Sequence, residues 1–215
     1  MLLSKTIATD LFGGQLQGEG LYFDLSDQGT IFDQVDVRSQ VELQNFADEQ
    51  MGQGLTNWGV SNFGEKRERF FRVLDAKQMV DEQRFWHLGL DVWMPVNSKL
   101  LAPLLGTVVE AEYEAGFGNY GGYVVLEHQA GLEKKYTFYG HLNPRYLPVI
   151  GSVIRQGEVL GYLGDMTQNG GYFFHLHFQV LTEKGYKEGF VHKGYSTKTQ
   201  FSEIECWVLD PLVGG

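Results

Sequence analysis

The residues with the clearest capacity for chemistry are histidines held in apolar, β-favouring stretches. The segment Tyr172–Leu181 reads YFFHLHFQVL. Alternate side chains of a strand point to opposite faces, so His175 and His177 share one face while Leu176 and Phe178 share the other. Two imidazoles on one firm face form a paired-ligand platform. A second such stretch is FWHLGLDVW, where Asp91 follows His87 by four residues and lies on the same face if the chain is extended. His141 closes the aromatic run YTFYGHL. Imidazole nitrogen and carboxylate oxygen are zinc ligands, and a catalytic zinc site needs three protein donors and one open position. The same two-His, one-carboxylate set also suits non-haem iron.

Each residue also has a plainer reading. Asp91 alone would pair with a surface cation, His87 would be satisfied by backbone, and His141 would bond a turn beside Asn143-Pro144. His128 in LEHQ and His192 in FVHKG fit no ligand spacing and read as structural.

The three motifs in this order, HxGxD at His87–Asp91, GHL at His141 and HLHF at His175–Phe178, are together similar to the lysostaphin/LytM-type zinc metallopeptidases, over residues 85–181. The resemblance implies that His87, Asp91 and His177 hold one zinc ion per chain. It also implies that His141 and His175 stay off the metal and handle a water and the charge of a tetrahedral intermediate. There is no HExxH, so no glutamate is placed by motif as a base. The implied reaction is hydrolysis of peptide (amide) bonds, in peptidoglycan-type or glycine-containing peptides. The loop GDMTQNGGYFFHLHF is bulkier than the small-residue loop of the secreted enzymes, making Asn169 and Tyr172 candidates for the substrate wall. With YGGYVVLEH, FYGHL, the late CWVLDP and the upstream GVSNFGEKR, the chain is closer to the peptidase-like domain of cytoplasmic aminotransferase/kinase-like fusion proteins.

The elements that must position these residues read as short strands between turns: LLAPLLGTVVEAEY, YGGYVVLEHQ, KKYTFYGHL, GSVIRQGEVLGYLGD and FFHLHFQVL. The expected class is all-β, mainly antiparallel, and the resemblance makes it the barrel-sandwich hybrid of lysostaphin-type peptidases. Residues 85–215 are the expected peptidase domain, and 1–84 an integral, irregular extension of short strands (LYFDL, TIFDQV) and turns. Within that extension, Val41–Met51 carries a helical period, and the charge run EKRER at Glu65–Arg69 reads as a solvated turn or helix start.

Composition sets further bounds. With 43% hydrophobic residues, the 215-residue chain can bury a substantial core. A net charge of −10 argues against a nucleic-acid surface. The single cysteine, Cys206, excludes an intrachain disulfide and a multi-cysteine metal site. No secretory leader or membrane-crossing run is read, so the expectation is a cytoplasmic protein. Two other functions remain open: a non-catalytic LytM-like binding or regulatory module, and a phosphocarrier on the same topology using His141 or His175. A carrier would have no need of Asp91.

Overall fold

The computed structural model describes residues 2–204 (side chains from residue 5) and 207–211, so Cys206 lies outside the described residues. The chain begins with α1 (Leu2–Phe12), β1 (Leu21–Tyr22), α2 (Gln40–Gln53), β2 (Gly59–Ser61), α3 (Glu68–Val73) and α4 (Lys77–Asp81). It then becomes strand-rich: β3 (Trp86–His87), β4 (Leu90–Trp93), β5 (Lys99–Leu101), β6 (Gly106–Glu114), β7 (Gly121–Ala130), β8 (Glu133–Leu142), β9 (Val153–Ile154), β10 (Val159–Tyr162) and β11 (His175–Thr182). The last described elements are α5 (Glu183–Lys187), β12 (Tyr195–Ser196), α6 (Lys198–Ile204) and β13 (Val208–Leu209).

The main sheet runs β1-β2-β4-β11-β8-β7-β6-β9, with β13 against one end of β11. Every pairing in it is antiparallel except β1 with β2. The fold is therefore mainly antiparallel β, as the alternating sequence pattern and turn spacing imply. Strand β11 is the spine. Its Leu176 and Phe178 enter one apolar cluster with Leu90, Val92, Val124 and Tyr139. Burying such a side chain stabilises the fold by about 1.5–3 kcal/mol. The alternate residues His175 and His177 are left to the opposite face, beside β4 and β8.

The first 84 residues are more helical than their sequence suggests. Ser39 caps α2, its hydroxyl accepting from the Glu42 amide, and the helix buries Leu43, Ala47 and Met51. TIFDQV is not a strand: Thr30–Asp33 form a 3₁₀ turn, burying Ile31 while Asp33 stays exposed. Helix α1 inserts Ala8, Leu11 and Phe12 into the same cluster as the β11 core residues. Strand β2 adds to the main sheet through Gly59, Val60 and Ser61, opposite Trp93, Val92 and Asp91. The extension thus shares both core and sheet with the strands that carry the histidines. Among the described residues no helix is long and apolar enough to cross a membrane.

Candidate metal centre and its cleft

Register brings the sequence candidates together. On β11, His177 lies directly opposite Asp91 of β4 and Gly140 of β8, and His175 lies opposite Trp93. Residues directly opposite in an antiparallel pair share a face, so Asp91 and His177 meet at short range. His87 arrives from β3, one bend before β4. That bend is possible because residue 89 is glycine: a Cβ there would sit 2.6 Å from His177 Cε1 and 2.9 Å from the Phe178 carbonyl oxygen. The glycine within HLGLD is thus a packing requirement of the His177 ring.

Three donor atoms form a nearly equilateral triangle. His177 Nδ1 is 3.0 Å from Asp91 Oδ1, His87 Nε2 is 3.2 Å from the same oxygen, and the two nitrogens are 3.1 Å apart. Four-coordinate zinc with bonds of roughly 2.0–2.1 Å separates its ligands by about 3.3 Å, so the spacing fits. The proton inventory fits as well. The His87 Nδ1–H donates to the Asn62 carbonyl at 2.8 Å. The His177 Nε2–H donates to Gln179 Oε1 at 3.0 Å. In the neutral tautomers these bonds select, each ring turns its other nitrogen, as a lone pair, toward the Asp91 carboxylate oxygen. Such convergence is repulsive unless a cation occupies its centre. These three residues, all at most 3% exposed, are a metal-capable cluster among the described residues.

The other two histidines follow the same rule. The His141 Nδ1–H donates to the Asn169 carbonyl at 2.8 Å, and the His175 Nδ1–H to the Phe173 carbonyl at 2.9 Å. Their rings lie 4.3 Å apart by centroid, with His175 Nε2 3.9 Å from Asp91 Oδ1. His141 is held at φ +66°, a conformation that side-chain-bearing residues seldom adopt and that costs about 1 kcal/mol or more. Burial, with the Arg67 cation adding to it, pushes His87 down to about 4, and burial likewise lowers His175 to about 4. His141 is held well below the ordinary histidine range by burial and by His175 and His177. Burial alone would raise Asp91, but His87 and Arg67 outweigh it and hold the carboxyl well below its usual range. At neutral pH the Asp91 carboxylate therefore lies among neutral imidazoles at His87, His141 and His175.

These groups open onto a cleft of about 510 Å³. Its walls come from Phe71, Met79, Phe117, Tyr120, Tyr172 and Tyr195, so α3 and α4 of the extension form one side. Tyr172 is on that wall, its hydroxyl donating to the Gly118 carbonyl at 3.3 Å. Asn169 is not. It is fully buried, and its side chain donates to the Tyr172 carbonyl and accepts from the Gly171 and Tyr172 amides. Its side chain shapes the loop, which turns through Gly170 at φ +82°, while its carbonyl orients His141. Both polar atoms of its side chain are engaged within the loop.

Three further groups at the site carry no signal in the sequence. Gln40 and Gln44 of α2 accept from the Phe173 and Phe174 amides and brace the turn before β11. The Tyr120 hydroxyl is buried at the cleft without a hydrogen-bonding partner among the described residues. Glu65 and Arg67, read as part of a solvated charge run, are 7% and 1% exposed. Only Lys66, Glu68 and Arg69 of that run reach solvent. His128 bonds the Leu105 carbonyl and the Thr137 hydroxyl in the sheet interior, away from the cluster, and keeps its structural reading.

Residues 85–188 match the model of peptidase family M23. Among solved structures, the chain is similar to a zinc-containing peptidase from Vibrio cholerae, at 20% identity and TM-score 0.43 over 61% of this chain and 31% of that one. It is similar to the catalytic domain of the antimicrobial peptidase lysostaphin from Staphylococcus simulans, at 25% identity and TM-score 0.39 over 55% and 80% of the two chains. LytU gives 20% identity and TM-score 0.40 over 58% and 81%. The match spans under a third of the V. cholerae peptidase. Over residues 85–188, just under half of its length, this chain matches peptidase family M23.

Proposed function

We propose that the protein is a zinc-dependent hydrolase of peptide (amide) bonds, with His87 Nε2, Asp91 Oδ1 and His177 Nδ1 as the metal donors. The observation that carries this reading is the 3.0–3.2 Å triangle of lone-pair-bearing atoms, each ring being locked by a hydrogen bond on its other nitrogen. A zinc ion in that triangle supplies Lewis-acid polarisation of the scissile carbonyl and lowers the pKa of a water to about 7.

The remaining chemistry belongs to the chain. His141 and His175 present Nε2 as an acceptor, because Nδ1 of each is committed to a main-chain carbonyl. One takes the proton of the attacking water as general base, and the protonated ring then donates to the charge that develops on the substrate oxygen or to the leaving amine. Their depressed basicity keeps Nε2 of both rings unprotonated at neutral pH, ready for the first of these roles. The cleft is open along aromatic walls, which suits an extended peptide, and peptidoglycan-type or glycine-containing peptides are the substrates to try first.

A phosphocarrier role fits less well. His141 and His175 are each 5% exposed, whereas a phosphoryl-accepting imidazole must be reached by a docking partner. The binding-module alternative shares the geometry and differs in outcome. The test is metal content of protein prepared without chelator, beside the His177→Ala variant, followed by hydrolysis of peptide and peptidoglycan-fragment panels. About one zinc per chain, lost in the variant, together with metal-dependent cleavage is expected. A chain that cannot be loaded with zinc would sink the hydrolase reading, and zinc without cleavage of any panel member would favour the binding module.

A further inference from the structure

Arg67 is a fully buried cation in contact with a carboxylate of the metal-capable cluster, and it comes from outside the matched M23 segment. Its Nη1 donates to Asp91 Oδ2 at 2.7 Å and to the Tyr195 hydroxyl at 2.9 Å. Its Nε donates to Glu65 Oε2 at 2.9 Å, with Nη2 2.8 Å from the same oxygen. Glu65 is anchored in turn: its Oε1 accepts from the Asn62 amide at 2.7 Å and from the Tyr22 hydroxyl at 2.9 Å. The main chain fastens the same segment to β3. The His87 amide donates to the Glu65 carbonyl at 3.0 Å, the Arg67 amide to the Phe85 carbonyl at 2.8 Å, and the Asn62 carbonyl receives the His87 ring proton. Residues 62–67 thus hold two of the three donor residues, His87 by its ring and Asp91 by its second oxygen.

A carboxylate has two equivalent oxygens, and a free one binds a metal through either or both. Here Oδ2 accepts from a rigid guanidinium, and Oδ1 faces His87 Nε2 and His177 Nδ1. A guanidinium can do this because its planar fork is itself fixed, by Glu65 at Nε and by Tyr195 at Nη1. An ordinary surface ion pair would lack that rigidity. We infer that Arg67 is a positioning residue of the metal site, holding Asp91 as a one-oxygen ligand, and that the segment before residue 85 is therefore a working part of the M23 centre rather than an appendage. The inference rests on the zinc reading above and extends it to residues outside the matched domain.

The experiment uses the full chain. Zinc affinity is measured by competition with a chromogenic chelator for wild type, Arg67→Met, Arg67→Lys and Glu65→Gln, each checked for native circular dichroism. Outer-shell partners of a metal ligand typically contribute 10–100-fold in affinity, so Arg67→Met is expected to bind zinc about that much more weakly. Arg67→Lys, which keeps the charge without the fork, recovers part of the loss, and Glu65→Gln gives a smaller loss in the same direction. Cobalt(II) substituted for zinc reports coordination directly: wild type shows the intense absorption of a four-coordinate site. Arg67→Met shows the weaker bands of a five-coordinate one, as Asp91 Oδ2 becomes free to bind. A role in folding alone would leave the spectrum of the folded variants unchanged. If Arg67→Met does not fold, the Lys and Gln variants carry the same comparison. Affinity and cobalt spectra within two-fold of wild type in the folded variants would overturn the inference while leaving the zinc reading intact. A wild type that takes up no zinc would overturn both.

Discussion

At the scale of residues, one device recurs four times. His87, His141, His175 and His177 each donate one ring proton to an oxygen that cannot give it back: three main-chain carbonyls and the Gln179 side chain. The device fixes the tautomer and ring plane and decides which nitrogen faces the cleft. It also separates two kinds of histidine. His87 and His177 converge on Asp91 Oδ1 within 3.2 Å, whereas His175 Nε2 stays 3.9 Å away. Substituting the two kinds should therefore fail in different ways. His141→Ala is expected to retain zinc and to lose about 10²–10⁴ in kcat, the usual worth of a positioned acid–base group. Zinc content and single-turnover hydrolysis of the same preparation check this. Loss of metal in His141→Ala would place that ring among the ligands instead.

At the scale of elements, β11 is decisive because it is central. Flanked by β4 and β8, it takes Asp91 as the cross-strand partner of His177 and brings His141 in at the end of β8. The close approach of the β3–β4 bend to β11 is the tightest requirement. Gly89→Ala would push a methyl group against the His177 ring and the Phe178 carbonyl, and neither a central strand nor a ring held by Gln179 has room to yield. Overpacking of this kind costs about 1–3 kcal/mol. The expected outcome is a lower denaturant midpoint together with weakened zinc binding, measured on one sample. A variant with unchanged midpoint and affinity would show that the bend relaxes freely.

At the scale of the whole molecule, the extension and the M23 strands share a sheet, a core cluster and the Glu65–Arg67–Asp91 chain, so stability and site chemistry are linked. The buried imidazoles give that linkage a pH signature in metal-free protein. Burial lowers His87 and His175 to about 4 in the fold, against about 6.5 when unfolded. The unfolded chain then binds more protons between those values, so stability rises with pH through the window. The contribution is fully present above about pH 6.5 and is lost as pH falls toward about 4, on the order of 3 kcal/mol per imidazole. His141 acts with the same sign. Asp91, held low, loses its contribution only at still lower pH. Urea unfolding of chelator-treated protein from pH 7 to pH 4 should show this decline, and a flat profile would contradict the buried neutral imidazoles.

What the sequence determined by itself was which residues share a strand face and where the strands begin and end. Strand alternation places His175 with His177 and opposes them to Leu176 and Phe178, and turn spacing marks the strands from β6 to β11. These are short-range consequences of a two-residue period, so they are written along the chain. The tertiary structure alone decided what depends on distant neighbours. It put α1 in the central core, made TIFDQV a 3₁₀ turn, turned the Asn169 side chain into its own loop and set Tyr172 on the cleft wall. Above all it buried Glu65 and Arg67. An alternating run of charges has the same sequence pattern whether both faces are wet or one face is paired inside the protein, and only the arrival of Asp91 and Tyr195 from other strands decides between them.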